Sequence, residues 1–177
     1  LGAAAPDGRP VVVAGHSMGG IAVMAWAERY PRDVDARGSA VGLVNTTPGE
    51  IFDNVQFLRG PQSLTTVRRR VAQTVVPLAR MPLPQRMPLR KHLLSRVAVG
   101  TGAAATITAD VDRMLGRTSA RGRGGYGRLL VNMIDTVDPS AITAPTLVIA
   151  GSHDRISPPG RSEWIAERLP NLLELRT

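Results

Sequence analysis

A serine stands at the centre of residues 15–19, which read Gly-His-Ser-Met-Gly, and Gly20 follows them. Val11–Gly15 is rich in β-branched residues and predicts a buried parallel strand, and the apolar spacing over Met18–Tyr30 predicts a helix. A serine at a sharp turn between such a strand and such a helix projects its hydroxyl from the sheet, as acyl transfer requires. We therefore predict that Ser17 is a catalytic nucleophile.

The neighbours of Ser17 fit this interpretation. The turn leaves no room for bulk two residues before or after the serine, and Gly15 and Gly19 satisfy that requirement. The Met18 N–H, at the positive end of the helix, is the expected oxyanion donor. His16 is held by the same turn and is expected to hydrogen-bond near the pocket wall rather than act as the base. The alternative is a glycine-rich turn that only packs or cradles a phosphate.

An aspartate occupies a second loop of the kind that carries catalytic groups. Asp154 lies in the turn-rich stretch Gly151–Pro158, after a predicted strand at Thr146–Ala150. Parallel sheets place their sites at the carboxyl ends of strands, so we predict that Asp154 is the acid of a Ser-Asp-His triad. A turn-capping role is the alternative for Asp154. Glu50 and Asp53 are alternative acids, although roles at a helix start explain them more simply.

The base of the triad is missing from its expected place. Residues 155–177 contain no histidine, whereas a histidine should follow Asp154 in this chain order. His153 is fixed beside the acid, and His92 belongs to a different segment, so both are rejected as bases. We expect the catalytic histidine to lie beyond Thr177, in a chain cut at both ends, and residues 1–177 alone to be inactive.

The elements that must position these groups alternate between strand and helix. This alternation implies right-handed crossovers and a parallel sheet. Two further strands are predicted at Ala40–Val44 and Leu172–Leu175, and a helix is predicted at Ser162–Leu169. The roughly ninety residues 50–140, between the second and third strands, carry no strand signal. They are too many for a bare connection and therefore form an insertion. Its predicted helices are Leu64–Val75, Leu89–Val97, Ala103–Leu115 and Arg128–Val137, the last preceded by a loop with Gly122, Gly124, Gly125 and Gly127.

Composition limits the classes of function. The chain has 43% hydrophobic residues, no cysteine and three histidines, so we expect a globular protein without a metal site, a disulfide or a cofactor. No apolar run reaches the length of a membrane span. The net charge is +8, and Arg59–Arg128 holds thirteen Arg and one Lys against two Asp. This asymmetry leaves an anionic membrane surface or an acidic substrate open as a partner, although a solvated helical face is the simpler explanation. Few aromatic residues accompany it, so nucleic acid is not expected.

These motifs, with Asn45–Gly49 and Ala144–Gly151, resemble the α/β-hydrolase superfamily. The likeness is greatest to bacterial cap-bearing serine esterases, lipases and haloperoxidase-like hydrolases. The resemblance implies the C-terminal part of an α/β-hydrolase parallel sheet of about four strands, with an inserted helical cap. It assigns residues 1–49 and 141–177 to the sheet and 50–140 to the cap. Four earlier strands, with a second oxyanion donor, would precede Leu1.

The resemblance and the predicted site together imply hydrolysis of a carboxylic ester or lipid-like small molecule through an acyl-enzyme. Cleavage of a C–C or amide bond and perhydrolysis are alternatives at the same serine. A non-catalytic basic module that binds lipids or anions is the rival from another class. A cytoplasmic location is favoured.

Overall fold

The computed structural model describes residues 5–49, 104–132 and 136–177. Contacts between Cα atoms group the chain into two units, one formed by Leu1–Glu50 with Asp135–Thr177 and the other by Ile51–Ile134. Several sequence-based predictions lie outside the described residues, namely the helices at 64–75 and 89–97 and the side chains of Glu50, Asp53 and His92.

The first unit is built on a four-stranded sheet in the order β1-β2-β3-β4, and every pair of neighbouring strands is parallel. This confirms the predicted α/β class. The elements of the described residues, numbered along the chain, are β1 (Val11–His16), α1 (Met18–Arg29), α2 (Pro31–Arg37), β2 (Gly38–Val44), α3 (Ala105–Arg117), α4 (Ala120–Asn132), a 3-10 helix (Pro139–Ala141), β3 (Thr146–Ile149), α5 (Pro159–Ala166) and β4 (Leu172–Arg176).

Helix α1 covers β1 and β2 with an apolar face that includes Ile21 and Met24. These two side chains are almost completely buried, as is Leu43 of β2. Burying a side chain of this size contributes about 1.5–3 kcal/mol, so this contact fixes the helix against the two strands. The turn between β1 and α1 is thereby held on both sides.

Helix α2 was not predicted. Pro31 directly follows the predicted helix Met18–Tyr30, and it is the first residue of α2. Proline suits that position because the N–H it lacks would have no partner inside the helix. Val34 of this short helix is buried.

The first strand was predicted to be buried on both faces, and in the structure it is not. Burial alternates along β1, and Val12 is 72% exposed. Within the described residues β1 pairs only with β2, and α1 packs against it. A β-branched run therefore predicted the strand correctly but not its environment.

The predicted glycine loop at 122–127 is also wrong, because these residues lie within α4. Glycine costs a helix about 1 kcal/mol relative to alanine at each position, which is why the sequence favours a loop. A cap offsets part of this cost, since the Ser119 hydroxyl accepts a hydrogen bond of 3.0 Å from the Gly122 N–H. No helix in the described part of the chain has the length and apolarity needed to cross a membrane.

Residues 136–140, which the resemblance assigns to the cap, group with the sheet unit. The Val137 N–H donates to the Pro48 carbonyl at 2.9 Å, and the 3-10 helix packs against α1. Asp138 caps the 3-10 helix by accepting from the Ser140 hydroxyl at 2.7 Å and the Ser140 N–H at 2.9 Å. The bond from the Ser140 hydroxyl has the larger effect and the bond from the Ser140 N–H the smaller, and together they hold the pKa of Asp138 below its ordinary value.

Candidate active site

Ser17 connects β1 to α1 in a strained conformation, with φ 52° and ψ −120°. A non-glycine residue with positive φ costs about 1–3 kcal/mol and is typical of functional turns. Ser17 is the N-cap of α1, yet its side chain makes no capping hydrogen bond. Serine usually caps a helix with its hydroxyl, so this orientation leaves the oxygen available for chemistry.

Close packing around the turn depends on Gly15 and Gly20. A Cβ on Gly15 would lie 2.5 Å from the Gly19 carbonyl oxygen, and a Cβ on Gly20 would lie 2.5 Å from the Thr46 hydroxyl. By contrast, a Cβ on Gly19 meets no atom within 4 Å among the described residues. The steric reason predicted for Gly19 is therefore wrong in this structure, and Gly20 has that role instead.

The backbone of Ser17 is tied to the end of the neighbouring strand. Its N–H donates to the Val44 carbonyl at 3.0 Å, and its carbonyl accepts from the Thr46 hydroxyl at 2.7 Å. The same carbonyl also accepts from the N–H groups of Gly20, at 2.9 Å, and Ile21, at 3.4 Å. The strained residue thus has both backbone polar groups satisfied.

Met18 is the first residue of α1. A backbone N–H at this position has no acceptor inside its own helix, and the partial positive charge of the helix end is concentrated there. The Met18 N–H therefore lies at the position where the sequence analysis expects an oxyanion donor.

Asp154 lies in the loop after β3. The strands are parallel, so this loop and the Ser17 turn share one edge of the sheet. Asp154 Oδ1 accepts from the N–H groups of Ile156, at 2.8 Å, and Ser157, at 2.9 Å. Among the described residues, Oδ2 accepts no hydrogen bond, so one carboxylate oxygen is fixed by the loop while the other can meet an incoming N–H.

Asn45 links the two loops and was not singled out as a functional residue from the sequence. It has φ 43°, and its Oδ1 accepts from the Gly151 N–H at 2.7 Å. The Gly151 carbonyl in turn accepts from the Asp154 N–H at 3.0 Å. An asparagine directly after a buried strand was the available signal, because asparagine tolerates positive φ better than most residues.

Two histidines lie in the described residues. His16 is the exposed last residue of β1. His153 is also exposed, and its Nδ1 lies 3.0 Å from the Ser152 hydroxyl. No cluster of three potential metal ligands occurs in residues 5–49, 104–132 and 136–177.

A parallel α/β sheet with a strained serine between strand and helix defines the class of α/β hydrolases. The sequence model of the family described as "Serine aminopeptidase, S33" matches residues 3–176, and the chain belongs to this α/β-hydrolase family. No curated protein sequence gives a significant match to it.

Solved structures share the fold. An esterase from Thermogutta terrifontis, solved with malate bound, has 22% identity and a TM-score of 0.64 over 96% of this chain and 56% of its own. An esterase from Exiguobacterium antarcticum has 15% identity and a TM-score of 0.69 over 96% and 59%. A hydrolase from Oleispira antarctica has 17% identity and a TM-score of 0.67 over 98% and 59%. The chain thus spans less than two thirds of the length of these proteins.

Proposed function

We propose that the protein is a serine hydrolase that cleaves carboxylic esters through an acyl-enzyme formed on Ser17. The observation that supports this most directly is the backbone of Ser17, which is strained at φ 52° while its hydroxyl is left out of the helix cap. Strain is retained where the surrounding structure compensates for it and function requires it. The two esterases of similar fold support an ester as the substrate class.

The proposed reaction begins with attack of Ser17 Oγ on the ester carbonyl carbon, while a histidine accepts the hydroxyl proton. The Met18 N–H stabilises the negative charge that develops on the carbonyl oxygen. The histidine then gives its proton to the leaving alcohol, and water releases the acid from Ser17 by the reverse sequence. Asp154 accepts a hydrogen bond from the histidine through Oδ2.

The histidine of this mechanism is proposed to come from outside residues 1–177, because no histidine follows Asp154 in the sequence. Residues 1–177 alone should therefore hydrolyse no ester in a manner that depends on Ser17. The assignment of residues 50–140 as a helical cap also stays a prediction.

Hydrolysis of an amide bond at an N-terminal residue is the second candidate. The description of the family as serine aminopeptidases favours it. Amide cleavage uses the same acyl-enzyme, but the leaving amine must be protonated as it departs. C–C bond cleavage and perhydrolysis remain further alternatives at the same serine.

An anionic membrane surface is a further proposed partner. Met114 of α3 is 69% exposed, and Leu129 of α4 is 54% exposed. The exposed arginines of this helical segment are Arg113, Arg117, Arg121 and Arg128. Exposed apolar side chains beside arginines favour an anionic interface. Equal sedimentation with anionic and neutral vesicles at low salt would remove this partner.

The test of the main proposal uses protein expressed from the complete reading frame that encodes this chain. Ser17→Ala should abolish both hydrolysis of a p-nitrophenyl ester and covalent labelling by a fluorophosphonate, and its melting temperature should stay close to that of the parent. Parallel rates on p-nitrophenyl esters and aminoacyl p-nitroanilides separate esterase from aminopeptidase activity. Normal turnover by Ser17→Ala would refute the covalent mechanism.

A further inference from the structure

Residues that follow β2 contact both halves of the proposed catalytic machinery. Thr46 donates to the Ser17 carbonyl at 2.7 Å, and Asn45 accepts from the Gly151 N–H at 2.7 Å. The first bond joins residues that are 29 apart in the sequence, and the second joins residues that are 106 apart. Two adjacent residues therefore lead in opposite directions along the sheet edge, one to the nucleophile and one to the acid loop.

The contact between Thr46 and the nucleophile turn is closely fitted. Thr46 is completely buried. Its Oγ1, Cβ and Cγ2 atoms lie 2.5, 2.6 and 2.8 Å from the position that a Cβ on Gly20 would take. The absent side chain of Gly20 thus provides the space in which Thr46 reaches the Ser17 carbonyl. A buried hydroxyl in such a fit has little freedom to donate elsewhere.

The hydrogen bond from Thr46 acts on the strained residue itself. The Ser17 carbonyl already accepts from two N–H groups in the first turn of α1. The Thr46 hydroxyl adds a donor from a different element, which ties the carbonyl to the end of β2. Together with the bond from the Ser17 N–H to the Val44 carbonyl, it fixes both ends of the residue against one strand.

Asn45 acts in the same way on the acid loop. Its N–H donates to the Ile149 carbonyl at 2.8 Å, which continues the pairing of β2 with β3 beyond the last paired residues. Its side chain then holds the N–H of Gly151, whose carbonyl accepts from Asp154. The positive φ of Asn45 turns the chain so that one residue makes both contacts.

We propose that Asn45 and Thr46 are positioning residues that set the nucleophile turn and the acid loop at a fixed mutual geometry. This inference rests on the proposed function, since it takes Ser17 as nucleophile and Asp154 as acid. Neither residue reacts with the substrate. Thr46 controls where Ser17 Oγ lies, and Asn45 controls where the loop holds the Asp154 carboxylate.

Thr46→Val tests the first half of the proposal in the complete protein. Valine fills almost the same volume but cannot donate, and the Ser17 carbonyl keeps its two helical donors, so the fold should persist. Turnover depends steeply on the placement of reacting atoms, and we expect kcat to fall about tenfold to hundredfold. KM should change little, and fluorophosphonate labelling of Ser17 should slow by the same factor as kcat. Thr46→Ser retains the hydroxyl and should restore most of the rate.

Thr47→Val is the matched control. Thr47 is also buried, and its hydroxyl donates to the Gly49 carbonyl at 2.9 Å rather than to the Ser17 turn. The same substitution one residue later should therefore leave kcat and the labelling rate near those of the parent. If Thr46→Val folds poorly, Thr46→Ala removes the same donor. The fall in kcat, measured per titrated active site, should then be the same.

Asn45→Gly tests the second half. Glycine adopts positive φ without strain but has no side chain to hold the Gly151 N–H. We expect a fall in kcat of about tenfold, again with little change in KM. In the double variant with Thr46→Val, the loss of activation free energy should be smaller than the sum of the two single losses if both residues maintain one geometry.

The outcomes separate the two proposals. Normal kcat in Thr46→Val and Asn45→Gly, with Ser17→Ala inactive, would overturn the positioning role and leave the nucleophile assignment intact. An equal loss in Thr46→Val and Thr47→Val would also overturn the positioning role, because it would indicate a general packing effect. Activity in Ser17→Ala would refute the proposed function itself.

Discussion

Gly15→Ala should damage both the stability and the activity of the protein. A Cβ at this position would lie 2.5 Å from the Gly19 carbonyl oxygen, 2.6 Å from the Gly19 carbonyl carbon and 2.6 Å from the Gly20 Cα. Ordinary contact begins near 3.4 Å, so the two segments must separate by about 0.9 Å. All three obstructing atoms belong to the backbone, and no side chain can rotate away to relieve the overlap.

The magnitude follows from this geometry. Overpacking costs typically about 1–3 kcal/mol, and a clash with backbone atoms belongs at the upper end. A loss of about 3 kcal/mol lowers the melting temperature by several degrees, since each kcal/mol shifts it by about 2–4 °C in a chain of 150–250 residues and by less in a longer one. The displaced backbone includes the first turn of α1, which carries Met18 and adjoins Ser17. A misplacement near 1 Å lowers turnover by about a hundredfold, which is the loss expected for the folded fraction of Gly15→Ala.

Gly19→Ala is the control for stability. It is the same substitution four residues later, but no atom of the described residues lies within 4 Å of the added Cβ. Alanine is favoured over glycine in a helix by about 0.5–1 kcal/mol, so this variant should melt at the parent temperature or slightly above it. Thermal unfolding followed by circular dichroism measures both variants, and turnover is normalised to sites titrated with fluorophosphonate. Equal melting temperatures for the two variants would refute the claim that the turn is tight at Gly15.

Two further predictions concern carboxylates. Asp154→Asn should lower kcat by about 10³- to 10⁴-fold, because the partner histidine loses its carboxylate. The melting temperature should change little, because the amide oxygen can still accept from the N–H groups of Ile156 and Ser157. A loss of kcat below about tenfold would refute the assignment of Asp154 as the acid. Ser140→Ala should raise the pKa of Asp138 toward its ordinary value, measured by NMR titration of the carboxyl carbon, since the hydroxyl bond is the larger cause of the lowered pKa. Because the pKa of Asp138 is lower in the folded protein than in the unfolded chain, the Asp138 cap stabilises the fold above the ordinary pKa of an aspartate. This stabilisation is lost as the pH falls below about 4. An unchanged pKa in Ser140→Ala would refute this account of the cap.

Local patterns predicted most of the sheet unit. The strand at 11–15, the helix from Met18 and the strand from Thr146 all begin where the sequence places them. Each is encoded by neighbours along the chain, through β-branched runs or helical spacing. Ser17 was recognisable for the same reason, since its turn is defined by the strand before it, the helix after it and the glycines between. The order of such elements also implied parallel strands, and hence one edge for Ser17 and Asp154.

Local patterns failed where an element depends on distant contacts or a compensating cap. The glycines of α4 indicate a loop, yet the helix forms with Ser119 at its start. The β-branched run of β1 indicates burial, yet Val12 is exposed because burial depends on which elements cover a strand.

The sequence by itself determined the turn that holds Ser17 between a strand and a helix, and the parallel order of the strands, because these depend on residues adjacent in the chain. Only the tertiary structure decided that Gly20 rather than Gly19 is sterically required, and that Thr46 and Asn45 hold the two proposed catalytic loops. The physical reason is that these contacts join separate strand-ends of one sheet edge. Thr46 is 29 residues from Ser17 and Asn45 is 106 residues from Gly151, and the packing of the crossovers brings each pair within hydrogen-bond distance.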